Sequence, residues 1–326
     1  MTVEDNPRQF EGGENVRSRV ISLALKDEGT YLITVDAGGL NFIKNHQLAF
    51  SGELPGGNEV EGLIYVEHLD SFVFLQSSRL YQKKMDENPP YLFMDLKSFD
   101  DELCPLDYSR INRRLFTLSD SDKITVINIV EKRVEFKFDE FSIFEFQVFG
   151  ERENKILSIS RGGCLSLLTF NFELKKLIHF SQSKIELIGE RFEEILSFAV
   201  SGRNDHVLVE LAASGMLPKC SRMMIFEIMN NRLILRATLD PFEEGLKGKF
   251  ALSCFGHFGN SILWVGLEAE EYVQVYEYNL DTKVLRELDE KRVNHQARLP
   301  LVMKKVDNCY FYASSGGLVK RLTVSF

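Results

Sequence analysis

One pattern narrows the possible folds of this chain more than any other. An apolar strand runs into Gly-Gly, and a second strand leaves it. The pattern spans residues 31–44, around Gly38 and Gly39. It returns at 156–168, around Gly162 and Gly163, and at 310–322, around Gly316 and Gly317. Gly-Gly also stands at 12–13 and 56–57 without strands on both sides, so the flanks carry the signal. In the first copy a further strand, 20–25, has both faces partly apolar. Lys26-Asp27-Glu28-Gly29 forms the polar turn between it and the next strand. The unit is a meander of short antiparallel strands.

Similar sets follow along the whole chain. First strands begin near residues 20, 63, 105, 144, 196, 251 and 301. The intervals are roughly 40 to 55 residues, the size of a four-stranded repeat unit. The third set is the cleanest: 105–108, 114–118, 124–129 and 134–138. Residues 98–102 read as one helical turn, and 185–188 as the blurred end of the fourth set or an extra strand. In the fifth set a long loop, 212–221, splits the second and third strands. In the sixth, 251–255 is the first strand, with Gly256-His257 in the turn after it. The seventh set stops one strand short, at Phe326. An open stack of such units leaves unpaired edges, whereas a ring does not. The sets therefore predict one closed domain over 1–326. The N-terminal segment, about 8–17, is expected to lend the missing strand.

Asp27-Glu28-Gly29, Thr34-Val35-Asp36 and Gly39-Leu40 match the middle of a WD40 repeat, and on these residues the chain resembles the WD40 family. It departs from that family in having no Trp-Asp pair. Ile43-Lys44 stands at that place, and the single tryptophan is Trp264. The resemblance implies an all-β fold: a seven-bladed β-propeller of four-stranded antiparallel blades. It further implies that loops between second and third strands open on the rim where the chain enters each blade. Those loops carry Asp36, Asp120, Arg161, Lys219 and Glu270, with Met216 and Leu217 near the tip of the 212–221 loop. Apolar residues in a long loop are unfavourable in water unless something covers them. Arg161, Met216 and Leu217, with Asp36 and Asp120, are thus the expected partner contacts. Arg113-Arg114 is assigned to a neighbourhood of the same kind. Trp264 and Phe311 fall on second strands and are expected to be buried between blades.

Composition limits the chemistry. The 26 phenylalanines predict a core of Phe and aliphatics. A net charge of −9 with no basic block argues against binding nucleic acid or anionic membrane by charge. No run approaches about 18 apolar residues, so no membrane-spanning helix is expected. The five cysteines are odd in number, spread out and free of C-x-x-C, as reduced thiols of a cytoplasmic or nuclear protein are. None of the six histidines stands at metal-ligand spacing, and phosphate-loop and nucleophile-elbow motifs are missing. Asp120 and Asp122 lack the Gly and distal Glu of a calcium loop. No cofactor or metal is expected. Lys83-Lys84, Lys175-Lys176 and Lys304-Lys305 read as wet strand ends. The expected function is a non-catalytic interaction scaffold or peptide-binding subunit of an intracellular complex, itself monomeric and partnered by other proteins. The alternative is a propeller hydrolase or lactonase with a metal in the central channel.

Overall fold

Consecutive apolar residues in the second set decide how the sheets are layered. Phe72, Val73, Phe74 and Leu75 are all fully buried. In a strand, neighbours point to opposite faces, so such a run needs cover on both sides. The computed structural model describes the chain apart from residues 1, 7–19, 28, 36–37, 46, 56–59, 61, 77, 97–105, 120–122, 139–142, 161–163, 185–192, 201–204, 214–219, 240–254, 259–260, 269–271, 292–301, 307–308, 314–318 and 326.

The described strands form four-stranded antiparallel sheets. After β1 (Thr2–Asn6) come β2 (Val20–Asp27), β3 (Thr30–Val35), β4 (Gly39–Lys44) and β5 (Gln47–Glu53). The second sheet has β6 (Gly62–Val66), β7 (Ser71–Gln76), β8 (Arg79–Lys84) and β9 (Tyr91–Asp95). The third has β10 (Leu106–Ser109), β11 (Arg114–Ser119), β12 (Lys123–Asn128) and β13 (Arg133–Phe138). The fourth has β14 (Ile143–Phe149), β15 (Lys155–Ser160), β16 (Cys164–Asn171) and β17 (Lys176–Lys184). The fifth has β18 (Glu193–Val200), β19 (His206–Ala213), β20 (Cys220–Met229) and β21 (Arg232–Leu239). The sixth has β22 (Phe255–Phe258), β23 (Ser261–Glu268), β24 (Tyr272–Asn279) and β25 (Leu285–Lys291). The seventh has β26 (Val302–Val306), β27 (Cys309–Ala313) and β28 (Val319–Ser325), with β1 as its fourth strand.

β1 runs antiparallel to β28, Thr2 opposite Ser325 and Asn6 opposite Arg321. The segment 8–17, assigned above to that role, lies outside the described residues. So do 98–102, 185–188 and most of the 212–221 loop. One strand differs from expectation. Gly256 and His257 sit inside β22, opposite Leu263 and Ile262, and not in a turn. The sequence offers Gly259-Asn260 as a stronger two-residue hairpin signal after this strand. Trp264 and Phe311 do lie on second strands, β23 and β27.

The chain divides into two compact units, one of 1–155, 170–176 and 300–326, the other of 156–169 and 177–299. In the first unit, first strands lie side by side in the order β26, β2, β6, β10, β14. Sheets therefore pack face to face, and β7 shows the result. Phe72 and Phe74 meet Leu32, Leu40 and Phe42 of the first sheet, while Val73 and Leu75 meet Leu115 and Ile127 of the third. Phe42 and Phe72 pack edge to face with centroids 5.9 Å apart. The third-to-fourth strand pairing shifts register in each of these sheets, at Phe42/Ile43, Leu80/Tyr81 and Val126/Ile127. A bulge there bends and twists the outer strand away from the flat ladder. The second unit repeats the shift at Ile225/Phe226 and Val275/Tyr276.

Candidate partner-binding edge

In the six sheets made of consecutive strands, two kinds of turn share one edge: those from first to second strand and those from third to fourth. In the first unit, hydrogen bonds tie the first kind from sheet to sheet. The Lys26 ammonium donates to Asp70 at 2.6 Å, and Tyr65 donates to the same carboxylate at 2.6 Å. These two bonds, Lys26 first, hold Asp70 below the usual carboxylate range; burial, then the Asp70 contact, pushes Tyr65 up. Arg110 reaches Glu67 at 3.4 Å. Glu153 accepts from the Ile111 N–H at 2.8 Å and the Ser109 hydroxyl at 3.1 Å. The Asn112 side chain donates to the carbonyls of Arg152 and Glu153 at 2.8 and 3.2 Å.

The third-to-fourth-strand turns are built by a repeated device. Asn128, Asn171 and Asn279 each end a third strand, and a lysine follows four positions on, at 132, 175 and 283. Asn128 Oδ1 accepts the N–H groups of Val130 and Glu131, both at 3.0 Å. Asn171 Oδ1 accepts from Leu174 at 2.8 Å, and Asn279 Oδ1 from Thr282 at 2.8 Å. These side chains stand in for backbone acceptors and close the turn. The lysines then take left-handed backbone, with φ of 51°, 49° and 56°.

On the third and fourth sheets the two kinds of turn touch. The Ile129 N–H meets the Arg113 carbonyl at 3.4 Å, and the Phe170 N–H meets the Asn154 carbonyl at 2.8 Å. Phe138 and Phe170 pack beneath them with centroids 4.4 Å apart. Burial pushes Glu135 up, but hydrogen bonds from Arg114 and Asn128 outweigh it, with Lys175 adding to them, and the carboxyl sits below its usual range. Three apolar side chains project from this patch: Ile111, Val130 and Leu174, at 55%, 57% and 60% exposure. Around them, residues 110–113, 129–133, 151–155 and 172–176 carry eight Lys and Arg against four Glu. Two of the four are used internally, Glu153 as above and Glu131 on Arg133 at 2.5 Å. Among the described residues no carboxylate forms an ion pair with Arg113, Arg152 or Lys176.

The residues expected to make partner contacts, Asp36, Asp120, Arg161, Met216 and Leu217, all lie outside the described residues, as do Lys219 and Glu270. Two assignments are corrected. Arg113 and Arg114 do not flank a second-to-third loop. Arg113 ends the turn from β10, and Arg114 opens β11, clamped by Glu135 at 2.9 and 3.0 Å. Lys83 is not a wet strand end. It is fully buried, with its ammonium donating to the carbonyls of Lys84 and Glu87 at 2.7 and 2.8 Å and lying 4.3 Å from the Phe42 ring centre. Alternation along β8 puts Lys83 on the same face as Tyr81, which packs against the first sheet, and the local carbonyls make burial tolerable. Burial pushes its ammonium down to about 8. Burial alone pushes Glu145, on β14, up to about 7. Among the described residues no group of three or more His, Cys, Asp or Glu side chains could hold a metal ion. No described helix is long and apolar enough to cross a membrane.

No protein-family model matches the chain, and no curated protein does. Solved structures do. The chain is similar to the β-propeller domain of Cps50 (Swd1) from Myceliophteria thermophila, at 9% identity, covering 99% of this chain and 100% of that one, with a TM-score of 0.63. It is also similar to the WD40 β-propeller domain of Doa1, at 13% identity, covering 96% and 95%, with a TM-score of 0.62.

Proposed function

We propose that this chain, which has the fold of WD40 β-propeller domains, is a non-catalytic protein-interaction module within a multiprotein complex. The observation that carries this reading is the set of exposed apolar tips, Ile111, Val130 and Leu174, on turns pinned by side-chain hydrogen bonds. An isolated exposed apolar residue means little, whereas three on adjoining rigid turns match the anchors of an interface. Rigid presentation also lowers the entropy lost on binding. The loops from second to third strands that bear Asp36, Asp120, Arg161, Met216 and Leu217 are a second proposed contact. A single seven-bladed ring over 1–326 is the proposed frame for both.

The test is affinity capture with quantitative mass spectrometry from the source cells. Wild type is compared with Ile111→Ser/Leu174→Ser and with Arg161→Ala/Leu217→Ser, after circular dichroism shows each variant folded. Loss of a defined set of partners in the first variant supports the turn edge. Full retention in both variants, with native melting, refutes the assignment of partner contacts to either edge.

A further inference from the structure

We infer that the turn edge of the third and fourth sheets takes an extended, acidic protein segment bearing aliphatic or aromatic side chains. The inference rests on the reading of that edge as a contact surface, and it specifies the chemistry of the occupant. Charge is the first argument. The chain as a whole carries a net −9, yet the four adjoining turns are basic by eight to four. Glu131 pairs with Arg133, and Glu67 of the second sheet pairs with Arg110, which leaves six cations against three glutamates on these turns. A local positive field favours an acidic partner and disfavours a symmetric contact of this edge with the same edge of a second copy.

The second argument is the interleaving of charge and apolar surface. Each exposed tip stands within three residues of an exposed cation: Ile111 beside Arg110 and Arg113, Val130 by Lys132, Leu174 by Lys175 and Lys176. A partner must therefore offer carboxylates and apolar side chains in alternation. Duplex nucleic acid offers charge without apolar groups. Single strands are held by aromatic stacking, and all three tips are aliphatic. Glu131 and Glu173 flank two of the tips, which opposes seating them in an anionic bilayer. The third argument is rigidity. The turns are fixed by Asn caps and by the Glu153 and Asn112 bonds, so a flexible segment meets a preformed row of sites.

The experiment selects a phage-displayed random 12-residue peptide library against the full chain. Enriched peptides are made with a fluorescent label and titrated against wild type and Arg113→Glu/Arg152→Glu/Lys176→Glu. None of these three side chains makes an ion pair with a described carboxylate, and a native melt of the variant is required before titration. The expected result is enrichment of Asp and Glu together with Leu, Ile or Phe. Affinity should fall at least tenfold in the variant and should weaken as salt is raised. Enrichment of neutral or basic peptides, equal binding to the variant, or no enrichment overturns the inference. Binding of vesicles of 70% phosphatidylcholine and 30% phosphatidylserine, or of a 20-nucleotide single-stranded RNA, that the variant loses while no acidic peptide binds overturns it too. If Ile111→Ser/Leu174→Ser loses partners in cells while selected peptides are not acidic, the interaction reading stands and this one fails.

Discussion

Replacing Lys83 by Met should change how stability depends on pH, and the direction follows from the geometry. The Lys83 ammonium has no exposed surface and is held by two carbonyls and the Phe42 face. Burial still wins, and the group titrates at about 8 against 10.5 in the unfolded chain. Below pH 8 both states hold the proton and the folded state bears the full penalty. Between pH 8 and 10.5 the unfolded chain keeps a proton that the folded chain has released. Stability of the wild type therefore rises with pH across that window. The full difference corresponds to at most about 3 kcal/mol, and to about 2 kcal/mol between pH 7 and pH 9.5. Residual water and salt would trim it toward about 1 kcal/mol. Met has no titrating group, so its own curve lacks this contribution. Other groups cancel in the comparison. Tyr31 is one: burial pushes it up to about 12, so it weakens the fold above pH 10 in wild type and variant alike. The assay is urea unfolding followed by circular dichroism at pH 7 and pH 9.5, with equal slopes in denaturant. Wild type should gain on Lys83→Met as pH rises. Parallel curves, or a wild type that loses ground, would refute a buried ammonium at this position.

Two further outcomes follow from the backbone. Removing residues 1–6 should bare the β28 edge that β1 covers, lowering the melting temperature and promoting concentration-dependent association, read by light scattering; an unchanged melt in a monodisperse sample would contradict that pairing. Lys175→Gly should raise stability by about 1 kcal/mol, because a left-handed φ of 49° strains any residue with a β-carbon more than it strains glycine; a net loss on denaturant titration would mean that the lysine stem packs usefully.

Central strands were legible in the sequence because burial on both faces writes them as unbroken apolar runs. β3, β7 and β11 begin and end within a residue or two of where the pattern puts them. Turns were harder to read where no glycine or proline marks them. Ile129 reads as the last residue of β12, yet the Asn128 cap turns the chain before it and leaves Val130 in water. The repeated Asn with Lys four residues later was present in the sequence as a signal, and it locates the edge that the long-loop argument passed over. Lys83 was misread for another reason. Residue type argues for exposure, and the acceptors that make burial possible, Lys84 and Glu87, are backbone carbonyls with no sequence signature.

The pairing of β1 with β28 has a consequence for biosynthesis. Thr2 meets Ser325, so the two partners leave the ribosome more than three hundred residues apart. At about 5–20 residues per second, roughly 15 to 65 seconds separate their synthesis. Through that interval the first-made strand waits without its mate, while six other sheets can assemble from hairpins between strands made in succession. Local pairing is quick and closure of so long a loop is slow. The seventh sheet is thus the step at which a nascent chain is most exposed to chaperones and to strand capture, and it cannot be completed before β28 has emerged.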